Sequence, residues 1–307
     1  VNISVVDSTS THDSIDVAVK VLDSWSLKPA FSFSGKKIGL GLSEENFLGM
    51  GHELSFQYKT DFTDKRNYRI ASYAANNIYG TFINAKLSGE KDFDMNENVY
   101  FKADRAFFSP LTRWAGGINL EYFKRNIKIP VDMSSNDFPE GIVKVQHQDV
   151  WAGYQFQIKK KNQTEINDNI GVTARFQNFS YVESPDKTID PSNFFSSYHL
   201  GLISVAYSQR KFSVERNIFQ YELPEDIQSG KFASLTAGAM KQYSVVYPYL
   251  GAAVGYGDFF KWGYFNYKAQ IGSFIKEQKN YRTTIRLDGT YMTPLQDWKF
   301  AKVRHYF

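Results

Sequence analysis

The sequence predicts an all-β chain, an antiparallel transmembrane β-barrel, on three observations. Apolar and polar residues alternate over many segments of about ten residues, aromatics are abundant, and no stretch is apolar for long enough to form a membrane helix. Aromatics make up 17% of the 307 residues, with 20 Tyr and 26 Phe, beside ordinary apolar and charged fractions of 42% and 22%. Strands in general favour aromatics, and Tyr and Trp also collect at membrane–water interfaces, so the excess suits a barrel and is compatible with a soluble sandwich. The richest apolar window, 245–256, is interrupted by Pro248, Gly251 and Gly255. It falls short of the roughly 20 residues a membrane helix needs. A barrel needs apolar residues only at every second position, because it satisfies its backbone groups between strands.

At the start of the chain, Val1, Ile3 and Val5 alternate with polar neighbours, and Ile15, Val17, Val19 and Val21 do so after a polar turn. This pattern predicts a β-hairpin, with residues 1–24 forming a small unit and 25–307 the barrel. The texture changes at Trp25 to longer strands carrying Phe and Tyr on one side. Predicted strands cover 31–34, 37–46, 52–61, 67–75, 81–88, 98–107, 114–124, 149–160, 169–181 and 198–208, and more follow. In 52–61, Leu54, Phe56 and Tyr58 oppose Glu53, Ser55, Gln57 and Lys59, because successive strand side chains point to opposite faces. Phe265, Tyr267, Ala269 and Ile271 then oppose Asn266, Lys268 and Gln270, and Tyr281, Thr283, Ile285 and Leu287 oppose Arg282, Thr284 and Arg286. Residues 126–145 and 183–195 read as irregular loops, with short turns expected at one end of the barrel and longer loops at the other.

Few residues suggest chemistry. The chain has no cysteine, hence no disulfide and no thiolate ligand or nucleophile. His12, His52, His147, His199 and His305 are scattered without ligand spacing and read as isolated surface or turn residues. Asp92 and Asp94 read as a solvated turn, and Gly39 and Gly41 belong to an alternating strand and precede no helix, so no phosphate loop is formed. Lys159, Lys160 and Lys161 read as a solvated strand end. The sequons Asn162-Gln163-Thr164 and Asn178-Phe179-Ser180 carry no weight in a bacterial protein. A net charge of +4, spread along the chain, argues against a nucleic-acid partner. No catalytic residue, metal site or cofactor is predicted, and the chain reads as a non-enzyme.

The most informative stretch joins two alternating strands through Asn46, Phe47, Leu48, Gly49, Met50 and Gly51. Preceded by a β-branched hairpin and a Trp-containing junction, Asp23 to Pro29, it resembles the BamA/TamA-like outer-membrane assembly factors, the surface-antigen superfamily in which periplasmic POTRA modules precede a barrel. Arg105 to Gly117 is similar to a tight periplasmic turn of that family, and Pro224 to Gly230, more loosely, to another of its segments. The Arg-Gly-Phe triplet that the family carries on a long inward loop is absent. Arg304-His305-Tyr306-Phe307 ends in an aromatic without a closing strand upstream, so the chain is expected to stop before the final strands.

The resemblance implies that 1–24 is the C-terminal hairpin of a POTRA-like module and 25–307 a bacterial outer-membrane barrel. It implies a lateral-gate edge at Phe31, Ser32, Phe33 and Ser34, where client strands add. The implied partners are outer-membrane lipid and lipopolysaccharide, client outer-membrane proteins, and periplasmic or lipoprotein subunits. Two other functions fit a barrel: a passive porin-like channel whose inward face carries Lys102, Arg175, Arg282 and Arg286, and an anchor for a surface or patatin-like enzyme. A soluble β-sandwich fits the alternation alone.

Overall fold

The computed structural model describes residues 2–5, 15–20, 25–128, 140–158, 167–191, 193–218, 223–277 and 279–307. The chain is all-β, and its one helix among the described residues is a 3-10 turn, Ile78–Gly80. Strands β1 (Asn2–Val5) and β2 (Val17–Lys20) pair as an antiparallel hairpin. Among the described residues this hairpin is all that residues 1–24 show, and a POTRA-like module is not seen; Lys159 to Lys161 and the sequon at Asn162 lie outside the described residues.

A single antiparallel sheet takes up most of the remainder, its strands paired in strict chain order. It begins with β3 (Leu27–Ser34), β4 (Lys37–Phe47), β5 (His52–Asp61), β6 (Arg66–Ala75), β7 (Asn84–Lys91) and β8 (Glu97–Arg105). Longer strands follow: β9 (Trp114–Lys128), β10 (Glu140–Ile158), β11 (Asn167–Glu183), β12 (Tyr198–Arg216), β13 (Pro224–Gln242), β14 (Val245–Phe260), β15 (Gly263–Lys276) and β16 (Lys279–Met292). A separate hairpin, β17 (Gln296–Trp298) with β18 (Ala301–Val303), comes last. The large sheet has 14 strands and is not closed, since β3 and β16 do not pair with each other.

Several expected boundaries move. Residues 126–145, read as a loop, include the end of β9 and the start of β10, and 198–208 is the first half of the 19-residue β12. Trp298 and Phe300 lie in a small hairpin and its turn, in keeping with the absence of a closing strand in the sequence. Nor are short turns confined to one end. Connections 48–51, 76–83 and 106–113 share the lower end, while 35–36, 62–65, 92–96, 184–197 and 243–244 share the upper, so both ends mix lengths.

One face of the sheet is apolar from edge to edge. Phe31, Leu42, Phe56, Ala71, Leu87, Phe101, Leu120, Val150, Phe176, Ile203, Leu235, Leu250, Ile271 and Leu287 represent it strand by strand, and all are exposed. The other face carries Gln57, Lys86, Lys102, Asn119, Asp149, Arg175, Ser204, Lys268 and Arg286. The accessible surface, 21493 Å², exceeds the roughly 13,000 Å² of a compact monomer of this mass by more than half. The apolar face therefore covers no core of this chain. Among the described residues a small buried apolar cluster is formed by Ile218, Tyr264 and Met292, with Ile227 and Phe259 against it.

The apolar belt does not follow the rows of paired residues. The row starting at Leu40 passes through Tyr58 to Arg69, Lys91, Glu97 and Lys124, whereas on β9 the belt face runs from Trp114 to Tyr122. From Leu40 or Leu42 to Ile118 the belt drops four to six residues over five strand spacings. That is about 13–20 Å in about 24 Å, a strand tilt of roughly 30–40°, close to the tilt of closed membrane barrels. The polar face is the concave one, because contacts between distant strands occur on it: the Arg210 guanidinium donates to the Phe107 carbonyl at 3.1 Å, and Arg282 lies over the Phe194 ring at 5.4 Å.

Candidate functional site: sheet edges and the polar concave face

The residues singled out in the sequence fall on two parts of the sheet. Phe31, Ser32, Phe33 and Ser34 end β3, which pairs only with β4 and so forms one edge of the sheet. Phe31 and Phe33 are 68% and 69% exposed on the belt face, and Ser32 and Ser34 alternate onto the concave face. Half of the eight residues of β3 direct their backbone groups away from β4, as antiparallel pairing requires. In hydrocarbon each unsatisfied group costs several kcal/mol, so this edge is stable in lipid only when another strand covers it.

The other edge is β16, and it is partly covered by the chain itself. Tyr291 and Phe307 exchange both backbone hydrogen bonds, 3.0 and 2.9 Å, the Thr293 amide donates to the His305 carbonyl at 3.0 Å, and Met292 bridges Tyr306. Residues 305–307 thus add as a short antiparallel strand at the lower end of β16. Near the upper end, Arg282 holds a left-handed backbone, φ 54°, at an irregularity in the β15 pairing. Its guanidinium lies 4.9 Å from the Tyr281 ring and 5.4 Å from that of Phe194 in the 184–197 connection. These cation–π contacts tie the edge strand to an upper loop.

The turn of Asn46, Phe47, Leu48, Gly49 and Gly51 lies at the lower end, remote from the β3 edge residues, which end at the upper turn. Its sequence explains its shape. The Asn46 side chain accepts the Gly51 amide at 2.7 Å and its carbonyl accepts the Gly49 amide at 2.8 Å. Gly49 and Gly51 have φ of +72° and +68°, where a side chain would be strained. Leu48 and Met50 project outward, 77% and 52% exposed. Phe47 packs edge-on against Tyr73 and pairs with His52 across the turn.

The concave face holds a polar cleft of about 510 Å³ lined by Asn98, Tyr100, Lys102, Asp104, Glu121, Asp149, Trp151 and Arg175 among others. Asp149 is 4% exposed; it accepts a bidentate pair from Arg175 and a bond from Gln177 at 3.2 Å. Lys102 pairs with Asp104 at 3.0 Å. His147, expected as an isolated surface residue, is instead 8% exposed, stacked on Phe179 at 4.0 Å and 3.4 Å from a Glu121 oxygen. Of the four cations proposed for an inward face, Lys102 and Arg175 meet in this cleft. Arg286 shares the face but pairs with Asp288 at 2.8 Å, and Arg282 sits near the rim. Sequence reasoning missed Asp149 and Glu121 and misread His147; the parity of Asp149 and His147 with Trp151 on β10, and of Glu121 with Arg125 on β9, was the available signal.

Connections fold over both ends of the concave face. At the lower end the 106–113 segment, inside the stretch read as a tight turn, tucks inward: Gln155 donates to the Pro110 carbonyl at 2.9 Å and Arg210 to that of Phe107. The Phe107 ring lies where a side chain on Gly153 would sit, 3.1 Å from an added Cβ. Arg304 donates to the Asn217 carbonyl at 3.3 Å and Tyr306 to that of Ile218. At the upper end Asp190 accepts the Phe194 and Phe195 amides at 2.8 and 2.9 Å, and Gln242 donates to Ser196. In the same loop Thr188 donates its amide and hydroxyl to Asp186, holding that carboxyl below its ordinary range. No group of residues among those described could hold a metal ion. Compared with models of known protein families and with curated proteins, the chain matches none.

Proposed function

We propose that this chain is the outer-membrane β-barrel of a bacterial protein insertion or translocation factor, which templates client strands at a lateral edge. The observation that carries this reading is a fourteen-stranded sheet whose two terminal strands stay unpaired with each other while its convex face is apolar throughout. The belt supports the membrane part. On β13 the belt-face residues Ala233, Leu235, Ala237 and Ala239 lie between Lys231 and Lys241, ten residues or about 34 Å of strand. At a tilt of 30–40° this is about 26–29 Å of height, the hydrocarbon thickness of a bilayer. Aromatics gather at its lower margin, with Trp114 edge-on to Tyr154, Tyr154 to Phe156, and Trp262 against Phe260, Phe265 and Tyr291, as at a membrane–water interface.

The edge supports the templating part. A client strand adding to β3 or β16 would satisfy its hydrogen bonds before entering lipid, and residues 305–307 already use the β16 edge in this way. In this reading the lower end faces the periplasm and β1–β2 reaches toward periplasmic or lipoprotein partners. A cysteine placed at Phe31 or Phe33 is expected to crosslink to nascent barrel proteins in cells; absence of any client adduct overturns the templating reading.

The polar cleft with Arg175, Asp149 and Lys102 favours a second reading, a passive channel. Planar-bilayer conductance with solute selectivity, together with unchanged levels of other barrels on depletion, would establish that function in place of the first.

A further inference from the structure

The row of paired residues that leaves the belt at its upper margin carries an unusual charge pattern. Arg69 on β6, Lys91 on β7, Glu97 on β8 and Lys124 on β9 are successive register partners, so all four stand on the convex face. The next outward residues toward the belt centre are Ala71, Gly89, Val99 and Tyr122, which are apolar. The cluster therefore sits where hydrocarbon gives way to headgroups, and neither Ala71 nor Gly89 overhangs it. Adjacent strands are about 4.8 Å apart, so Arg69 to Lys124 spans about 14 Å along the surface.

Three cations share one carboxylate. Lys91 is paired with Glu97 at 2.9 Å, and the charges of Arg69 and Lys124 also act on that carboxylate. Among the described residues, Arg69 and Lys124 have no ion-pair partner of their own. The net charge of these four residues is thus +2, whereas the next register partners, Lys144 on β10 and Glu183 on β11, neutralise each other at 2.5 Å, and from β12 to β14 the outward residues at this height are His199, Lys241 and Val246.

We propose that Arg69, Lys91 and Lys124 form a binding site for the phosphate of a negatively charged membrane lipid in the upper leaflet. The two unpaired cations supply the charge, and Glu97 holds Lys91 upright between them. A guanidinium and an ammonium set to either side of a phosphate give charge-assisted hydrogen bonds in a region of low dielectric. The inference rests on the belt facing a bilayer.

The test uses the full chain folded in non-ionic detergent and then exposed to phosphatidylglycerol or to phosphatidylcholine, with retained lipid counted by native mass spectrometry. Phosphatidylglycerol is expected to be retained about 25-fold over phosphatidylcholine. The double variant Arg69→Gln with Lys124→Gln is expected to lose that preference by about 25-fold, fivefold for each cation. Lys241→Gln, at similar height elsewhere on the sheet, is expected to leave it unchanged. Should the double variant fail to fold, the single variants serve, each with about a fivefold loss. Equal retention of the two lipids, undiminished retention in the variants, or displacement of lipid by inorganic phosphate at matched concentration overturns the proposal. A chain that stays monomeric and folded without detergent overturns the membrane reading itself; one that requires detergent yet shows no preference overturns only this site.

Discussion

Replacing Leu235 by arginine puts the membrane reading to its most direct test. Leu235 is 71% exposed and lies between Lys231 and Lys241 on the convex face of β13, four residues from the first and six from the second. At about 3.4 Å per residue and the tilt derived above, its side chain stands within a few ångströms of the belt's midplane. An arginine there costs about 2–4 kcal/mol in a bilayer, falling to about 0–1 near the interfaces. In water the same exposed position tolerates arginine within about 0.5 kcal/mol. The measurement is urea titration of the chain folded into phosphatidylcholine vesicles, followed by heat-dependent gel mobility and tryptophan fluorescence. Leu235→Arg is expected to lose about 2–4 kcal/mol and His199→Arg, at the upper margin, no more than about 1. Equal and negligible losses at the two positions would refute the belt as a lipid-facing surface.

Four further outcomes follow from the concave face and the connections. Asp149→Asn leaves the Arg175 guanidinium without its bidentate partner in a part-buried cleft, and is expected to cost about 1–3 kcal/mol in the same titration; an unchanged midpoint would show that the pair is solvent-screened. Gly153→Val meets the Thr173 methyl and the Val172 carbonyl as well as the Phe107 ring, at about 1–3 kcal/mol, and is expected to make the 106–113 segment susceptible to protease added from the lower side; unaltered cleavage would show that the Phe107 ring does not hold that segment in place. Asn46→Ala removes the side-chain acceptor of the Gly51 amide and is expected to cost about 1 kcal/mol, with faster hydrogen exchange confined to 46–52. Asp186 has a folded pKa below its ordinary value of 3.8 because Thr188 donates to the ionised form. Its contribution to the upper loop is therefore complete above that value and is lost as pH falls through the lower folded pKa. The Thr188 amide should lose exchange protection on acidification in the parent chain and lack it at neutral pH in Asp186→Ala.

Most of the strands were legible because alternation is local. A residue's face follows from its parity within the strand, so Leu54, Phe56 and Tyr58, or Ile271 with Ile285 and Leu287, declare the belt without knowledge of any partner. The signal failed where the belt ends. Above it, β10 presents Lys144, Gln146 and Gln148 on the convex face and buries Val143 and Val145 on the concave one, at 3% and 0% exposure. The apolar side of the strand changes over between Val145 and Val150, and a reader following one parity sees the pattern dissolve into a loop. The Asn46 to Gly51 turn was legible for a similar local reason, since two glycines at positive φ and an Asn acceptor close it within six residues.

By itself, then, the sequence determined that this is a chain of amphipathic strands, where several of its turns fall, and that it has no cysteine and no metal-ligand spacing among its histidines. Only the tertiary structure decided which strands end the sheet, how far the belt tilts, and which side chains meet. Asp149 and Arg175 are 26 residues apart, and Phe107 and Arg210 are 103 apart. The first pair depends on the register of neighbouring strands and the second on the curl of the whole sheet. Neither leaves a local trace, because the spacing between partners is set by the lengths of the strands and connections between them and not by the chemistry of either residue.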